Sequence, residues 1–332
     1  GMPGPYRAYT ECKNRGIFPM AKIAIMGFGT VGSGVLEVCR RNAASIARRA
    51  GEPVEVKYIL DVRDFSGSPD AALFTKSIDT ILNDPEIKVV VETIGGTKFA
   101  YPYVRQCLES GRSVCTSNKE MVATYGAELL ALAKEHSAAF LFEASVGGGI
   151  PILRPICQCL AANEISSVCG ILNGTTNFIL TKMGEGSTYA DALAEATALG
   201  YAEADPSGDV EGWDAAVKVV ILAKILFGKD VAVKDVTRIG ITQVTPQQIA
   251  EARRSGFTIK LVAGIRFDSF GMHPYVMPKE IALTHPLAAI GGATNAITVN
   301  TDNLGEITLV GPGAGRRETG QALLSDMIRM SR

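Results

Sequence analysis

From residue 21 the chain alternates short apolar runs with longer amphipathic stretches. Ala21–Met26 is an apolar run that closes on glycine, the pattern of a buried strand. A helix is expected over 31–49 and a second strand over Val54–Val62. Strands near Lys88–Glu92, Ser113–Thr116 and Phe140–Glu143 then alternate with helical stretches over 101–110 and 118–136. Alternation of this kind predicts an α/β architecture, a parallel sheet with helices on both faces.

The alternation stops at Ser145–Pro151, where Gly147, Gly148, Gly149 and Pro151 read as a flexible joint. Beyond it a helix is expected over 151–160, a strand over Ser167–Leu172, and helices near 188–199, 209–227 and 246–255. Strands near 257–267, 273–278, 296–300 and 306–310 complete a mixed α+β domain. A closing helix over 316–331 follows the glycine-rich Gly311–Gly315 and is expected to return to the first domain. The expected division is an extension over 1–20, a first domain over 21–150, a second over 151–312 and the returning helix over 313–332.

Composition narrows the class. A chain of 332 residues fits about two domains. Lys and Arg number 33 against 34 Asp and Glu, a net charge of −1, which removes the electrostatic case for nucleic acid or an anionic membrane. No apolar run approaches the roughly 18 residues of a membrane span. Seven irregularly spaced cysteines do not make a disulfide scaffold and point to a reducing cytoplasm. Residues 1–20 carry Pro3, Gly4, Pro5, Gly16 and Pro19 without the apolar core of a secretory signal. Gly1-Met2 reads as a cloning remnant, Met20 is an alternative start, and no role is assigned to the segment.

Gly27-Phe28-Gly29-Thr30-Val31-Gly32 reads G-x-G-x-x-G between the first strand and the first helix, with a second strand ending at Asp61. In that setting the motif predicts a dinucleotide site and a Rossmann-type first domain. Gly27 permits the tight turn, Gly29 lets a pyrophosphate approach the backbone, and Gly32 allows close helix–strand packing. The helix N-terminus offers N–H groups and partial positive charge to the phosphates. Asp61 stands where an acid would bond the ribose of NAD, whereas Arg63 could pair with the 2′-phosphate of NADP. The two signals conflict, and the reading leans slightly to NADP or to dual use.

Two lysines carry candidate chemistry. Ser117-Asn118-Lys119-Glu120 fits a capping box with Ser117 at the N-cap, which puts Lys119 in the first helical turn at the carboxyl end of a parallel strand. The helix dipole disfavours a cation there, so Lys119 is either an acid–base lysine or a solvated one, and spacing alone does not choose. In WDAAVKVVILAKILF, residues 213–227, Asp214 and Lys218 stand i,i+4 on a largely apolar helix. A buried charged pair is either a structural salt bridge or a functional one. Glu203, Asp205 and Asp209 cluster just before it and could recognise an ammonium or a cation, although Asp209 could also be the N-cap of that helix.

The run Gly200-Tyr201-Ala202-Glu203-Ala204-Asp205-Pro206 through Asp209, Gly212, Asp214 and Lys218 resembles the signature of homoserine dehydrogenases. Leu172–Leu180, Ser117-Asn118-Lys119, Glu143–Pro151 and Gly311–Gly315 are similar to that family in order and spacing, so the likeness runs over about 21–331. The long spaced signature is specific, and the first glycine motif alone is not. The resemblance implies NAD(P)-dependent interconversion of L-homoserine and L-aspartate 4-semialdehyde, on the route to threonine, methionine and isoleucine. It implies Lys218 and Lys119 as the catalytic residues. Glu203 and Asp214 would hold the substrate, with Gly174, Thr175 and Thr176 lining its pocket. Gly27, Phe28, Gly29, Thr30, Val31, Gly32, Arg63, Thr93, Ser117, Lys119, Gly200 and Gly315 would lie along the cofactor. Backbone carbonyls of Glu143, Val146, Gly148 and Ile150 would hold a monovalent cation, Na+, and the second domain's sheet would form a homodimer. The chain ends soon after Gly315, so a C-terminal regulatory domain is not expected.

The remaining features read as structural. Cys157 and Cys159 are expected in core packing, Trp213 as a packing anchor, and His273 and His285 as strand and turn residues. The competing functional readings are another amino-acid-linked NAD(P) dehydrogenase and a non-catalytic dinucleotide sensor, and the second would not need two lysines.

Overall fold

The structure is a computed structural model that describes residues 22–330. The extension over 1–20, with Ala21, lies outside the described residues. The chain divides into two compact units, one reaching Pro151 and resuming at Ala314, the other Ile152–Gly313.

In the first unit β1 (Lys22–Met26) leads into α1 (Thr30–Arg41), α2 (Ala43–Ala50) and β2 (Glu55–Leu60). There follow β3 (Phe74–Thr75), α3 (Ile78–Leu82), β4 (Ile87–Glu92), α4 (Ala100–Glu109), β5 (Ser113–Thr116), α5 (Lys119–Glu135), β6 (Phe140–Leu141) and the single turn α6 (Ala144–Gly147). The strands pair in parallel in the order β3-β2-β1-β4-β5-β6. The Ile23–Met26 stretch of β1 and the Val89–Val91 stretch of β4 are buried, as expected for strands covered on both faces. The strand order reverses between β1 and β4, the crevice where parallel sheets of this type bind ligands.

The expected helix over 31–49 is two helices. Asn42, at φ −108° and ψ 20°, ends α1 and starts α2 at a residue of weak helix propensity.

The second unit opens with one wide turn over Pro155–Cys159 instead of the helix expected over 151–160. Pro151 and Pro155 both lack the N–H that a continuous helix would use. It continues with β7 (Ile165–Ile171), α7 (Gly174–Gly184), α8 (Tyr189–Ala198), α9 (Ser207–Val210) and α10 (Trp213–Phe227). β8 (Thr237–Arg238), α11 (Pro246–Arg254), β9 (Phe257–Asp268), β10 (Gly271–Ala282), β11 (Thr294–Thr301) and β12 (Gly305–Pro312) complete it. The sheet order is β12-β11-β7-β9-β10-β8, antiparallel except between β8 and β10.

The helix expected over 209–227 breaks at Gly212, whose φ of +84° is left-handed and whose Cβ would meet Val276 Cγ1 at 2.9 Å. Trp213 is not a packing anchor: it is 39% exposed, and the Arg238 guanidinium lies 3.4 Å from its ring centre. Cys159 is likewise exposed and Cys157 half-buried, so the core assignment does not hold for Cys159. His273 bonds Asp268 at the β9–β10 hairpin, and His285 Nδ1 accepts the Leu287 N–H ahead of a short 3-10 turn.

The last helix, α12 (Arg316–Met330), belongs to the first unit. It crosses α1 with backbones nearly touching. A Cβ on Gly34 would stand 1.9 Å from Arg316 O, and one on Gly320 would stand 2.8 Å from Gly34 C.

Candidate active site

The residues singled out by sequence fall into two sets, one on each unit. In the first unit the glycine turn is built from below. Gly27, at φ +89°, donates its N–H to Leu60 O at 2.8 Å. Thr93 Oγ1 donates to Met26 O and Gly27 O at 3.1 and 2.8 Å. A Cβ on Gly32 would lie 2.1 Å from Gly27 O, so only glycine lets α1 sit this close to the strand. A Cβ on Gly29 meets no protein atom within 4 Å, and α1 begins at Thr30 with no side-chain cap and no acid in its first turn. An open cradle beside uncapped helical N–H groups fits a dinucleotide pyrophosphate. Val31 is half-buried in that first turn.

The Asp61 and Arg63 signals resolve into one pair. Asp61 Oδ2 accepts the Phe28 N–H at 2.8 Å, so the acid secures the turn itself. Arg63 bonds both Asp61 oxygens, at 3.0 and 2.8 Å. The Arg63 guanidinium is the main cause holding the Asp61 carboxyl down at about 2, with help from the N–H groups of Arg63 and Phe28 and against partial burial. The Phe28 ring meets Phe65 and Phe74 edge-on, with centres 5.5 and 5.0 Å away.

Ser117 is not the N-cap of α5. Asn118 is, with its Oδ1 accepting the Met121 N–H at 3.1 Å, so the expected capping box moves by one residue and Lys119 opens the helix. Ser117 lies in the loop between β5 and α5. Gly315, at φ +139°, immediately precedes α12. Around α6, Glu143, Val146 and Ile150 are buried and Gly148 is left-handed at φ +58°. The carbonyls of Phe142, Gly147 and Gly149 accept hydrogen bonds from Ser145, Ile150 and Gln321 in this turn. These three are different residues from the four positions expected to hold a cation. The C-terminal helix braces the turn at both ends: Gln321 reaches Gly149, and Asp326 accepts the Glu143 N–H at 2.9 Å.

In the second unit Lys218 is 8% exposed, and its Nζ donates to Asp214 Oδ2 at 2.7 Å and to Leu172 O at 2.6 Å. Asn173 Nδ2 donates to the same Asp214 oxygen at 2.9 Å and to Asp209 Oδ1 at 2.7 Å. Asp209 is thus not the N-cap of α10, which starts after Gly212; it lies in α9 and joins this network. Asn173 Oδ1 caps α7 by accepting the Thr176 N–H and hydroxyl, both at 2.9 Å, and Thr175 donates to Tyr201 O at 2.6 Å. Gly174 packs so tightly that a Cβ would reach Ala293 O at 2.6 Å. Glu203 is exposed on the loop after α8 and makes no hydrogen bond or ion pair among the described residues. Gly200, at φ +77°, sits on that loop too, in the second unit.

Sequence reasoning missed α7, although Asn173 followed by the apolar run Phe178–Leu180 is a start signal. It also missed several buried charges, Glu92 and Lys260 among them. Glu92 closes β4 and is wholly buried, and Lys260 is the buried cation of β9, whose Arg266 is exposed. Lys260 Nζ bonds Ile290 O and, at 3.3 Å, Asn177 Oδ1. Asn177 Nδ2 faces the carbonyls of Ile290, Gly292 and Thr294. Burial pushes Lys260 down to about 8. The unfolded chain keeps its proton to about pH 10.4, so between those values the unfolded state binds more protons and stability rises with pH, by at most about 1.4 kcal/mol per unit. Melts of wild type and Lys260→Met from pH 7.5 to 10.5 are expected to show that extra rise in wild type alone (roughly the window set by the two values).

Family models described as homoserine dehydrogenase and as its NAD binding domain match residues 151–328 and 27–143. The homoserine dehydrogenase of Bacillus subtilis is 41% identical over 312 residues, covering 92% of this chain and 72% of its own. The crystal structure of a homoserine dehydrogenase from Thiobacillus denitrificans superposes with a TM-score of 0.89 at 40% identity, covering 94% of this chain and 73% of that one. A hyperthermophilic archaeal homoserine dehydrogenase solved with NADPH gives 0.78 at 32% identity, over 93% and 96%. The chain belongs to the homoserine dehydrogenase family, NAD(P)-dependent oxidoreductases that interconvert L-homoserine and L-aspartate 4-semialdehyde.

Proposed function

We propose that Lys218 is the principal acid–base of this reaction and that Lys119 assists it. The observation that carries the reading is the Lys218 ammonium, buried on an apolar helix and fixed by Asp214 and the Leu172 carbonyl. When bound, the nicotinamide supplies the hydride to the aldehyde carbon or takes it back from the alcohol. Lys218 stabilises the negative charge that develops on the aldehyde oxygen and gives it the proton that completes the hydroxyl. In the other direction its neutral amine takes the hydroxyl proton. Two of its donor directions are held by Asp214 and Leu172, and the third serves the substrate oxygen. Glu203 meets the substrate ammonium, Asp214 holds the substrate beside Lys218, and Gly174, Thr175 and Thr176 line the pocket.

The phosphate turn takes either dinucleotide, with NADP modestly favoured. Arg63 supports this: it is exposed, and it neutralises the Asp61 charge that would repel a 2′-phosphate. Arg63→Ala is expected to lower the NADP-to-NAD ratio of kcat/KM by about tenfold, about 1.4 kcal/mol; an unchanged ratio removes Arg63 from cofactor selection.

The carbonyls of Glu143, Val146, Gly148 and Ile150 hold a monovalent cation, Na+. The second unit's sheet forms a homodimer, a reading supported by half-covered residues along β10 and β12. Cys39, Cys107 and Cys115, buried as free thiols, suit a reducing cytoplasm. The test is nicotinamide absorbance with L-homoserine and either NADP or NAD. Homoserine-dependent reduction supports the assignment, and dinucleotide binding without turnover in folded protein overturns the substrate.

A further inference from the structure

Glu92 is a carboxylate without a place in the chemistry described so far, yet it is fully buried at the carboxyl end of β4. Oε1 accepts the N–H groups of Ile94 and Gly95 at 2.7 and 3.4 Å, which shapes the turn through the left-handed Gly95 and Gly96. Oε2 accepts the Thr116 hydroxyl at the end of the neighbouring strand β5. Thr116 Oγ1 in turn accepts the Asn118 N–H at 2.8 Å, and Asn118 Nδ2 returns to Gly96 O at 2.6 Å. The circuit is closed, and every group facing Glu92 in it is a donor. Its members flank the residues of interest. Thr93, next to Glu92, holds the glycine turn through Gly27 O, and Asn118 is the N-cap that fixes the first residue of α5, Lys119. Burial pushes the Glu92 carboxyl up while the Thr116 hydroxyl and the turn N–H groups pull it down.

The geometry points to Glu92 as a positioning residue for the reaction: its carboxylate locks the Ile94–Gly96 turn to the Thr116–Asn118 segment and so sets where Lys119 begins. The inference rests on the reading of Lys119 as a catalytic assistant. The carboxylate is suited to the task because it can accept from both loops at once. A Gln at this position keeps one acceptor but turns an amide N–H toward either the Thr116 hydroxyl, whose oxygen already accepts from Asn118, or the Ile94 N–H. In either orientation of the amide one buried donor, the Thr116 hydroxyl or the Ile94 N–H, loses its acceptor, which is costly where water cannot intervene.

Glu92→Gln is expected to lower kcat by about tenfold while the dinucleotide Kd moves by less than about threefold. Amide exchange should speed up over 93–97 and 117–122 and stay at wild-type rates in β1 and β2. Thr116→Val should reproduce the loss, Thr116→Ser should restore kcat to within about threefold, and Glu92→Gln with Thr116→Val should be no worse than either alone, because one ring is broken in each case. Additive losses, or wild-type kcat and local exchange in Glu92→Gln, overturn the proposal, as does protection lost evenly across the first unit. If Glu92→Gln fails to fold, the Thr116→Val and Thr116→Ser pair decides. Lys119→Ala, measured alongside, separates the two readings. Normal turnover there refutes the role of Lys119, and the exchange data still report on Glu92.

Discussion

Lys218→Ala should lower kcat by about 10²–10⁴-fold in both directions, the range for removal of a positioned general acid–base. The dinucleotide Kd should hold, since the hydrogen bonds of Lys218 go to Asp214 and Leu172 and to no residue of the glycine turn. The substitution also leaves Asp214 with one fewer buried donor, and loss of a charge-assisted bond costs about 1–3 kcal/mol, so unfolding must be followed in parallel. Lys218→Arg separates charge from proton transfer: it keeps a cation near Asp214, but a guanidinium does not lose its proton in the working range. It should therefore remain nearly as slow as the alanine variant. A small primary amine added to Lys218→Ala should recover part of the rate, and the recovery should grow with the fraction of free amine when homoserine is oxidised. Near-normal kcat across pH in Lys218→Ala would remove this lysine from the chemistry.

That pair was legible in the sequence because an i,i+4 Asp–Lys spacing on an apolar helix leaves little choice of geometry. The parallel sheet was legible for the same reason: β1, β4 and β5 are short apolar runs between amphipathic stretches, and period alone identifies them. Helix ends were less so. Ser117-x-x-Glu120 fits a capping box as well as Asn118 fits an N-cap, and which residue turns its side chain inward depends on Thr116 and Gly96, which the local sequence does not place. Helix α7 was hidden by Gly174, Thr175, Thr176 and Asn177, all weak helix formers; Asn177 is held by the carbonyls of Gly292 and Thr294, Thr175 by Tyr201 O and Thr176 by the Asn173 cap. Glu92 and Lys260 were invisible as functional candidates because their partners are mostly backbone groups brought together by folding. A carboxylate that answers to Ile94 N–H and a lysine that answers to Ile290 O leave no paired charge for a sequence to display.

Gly32→Ala should abolish useful dinucleotide binding, raising Kd by about 100-fold or more, about 2.7 kcal/mol. Its methyl would stand 2.1 Å from Gly27 O and 2.8 Å from Thr93 Oγ1. Neither neighbour can yield cheaply. Gly27 is held by Leu60 O and has its own backbone against Thr93 and Ile94, while the Thr93 hydroxyl is fixed by two carbonyls. The helix must therefore lift from the strand, opening the turn that aims its N–H groups at the phosphates. Overpacking of this kind costs about 1–3 kcal/mol, so the melting temperature should fall as well. Gly29→Ala is the control that separates fold from binding. Its methyl meets no protein atom within 4 Å, and its φ of −80° suits alanine, so the melt should match wild type. The same methyl would occupy the open cradle before α1, and Kd should rise by about tenfold or more, because a phosphate can no longer approach the backbone. If Gly29→Ala binds both dinucleotides as wild type does, the phosphates do not sit at this turn, and the first unit must hold its cofactor elsewhere.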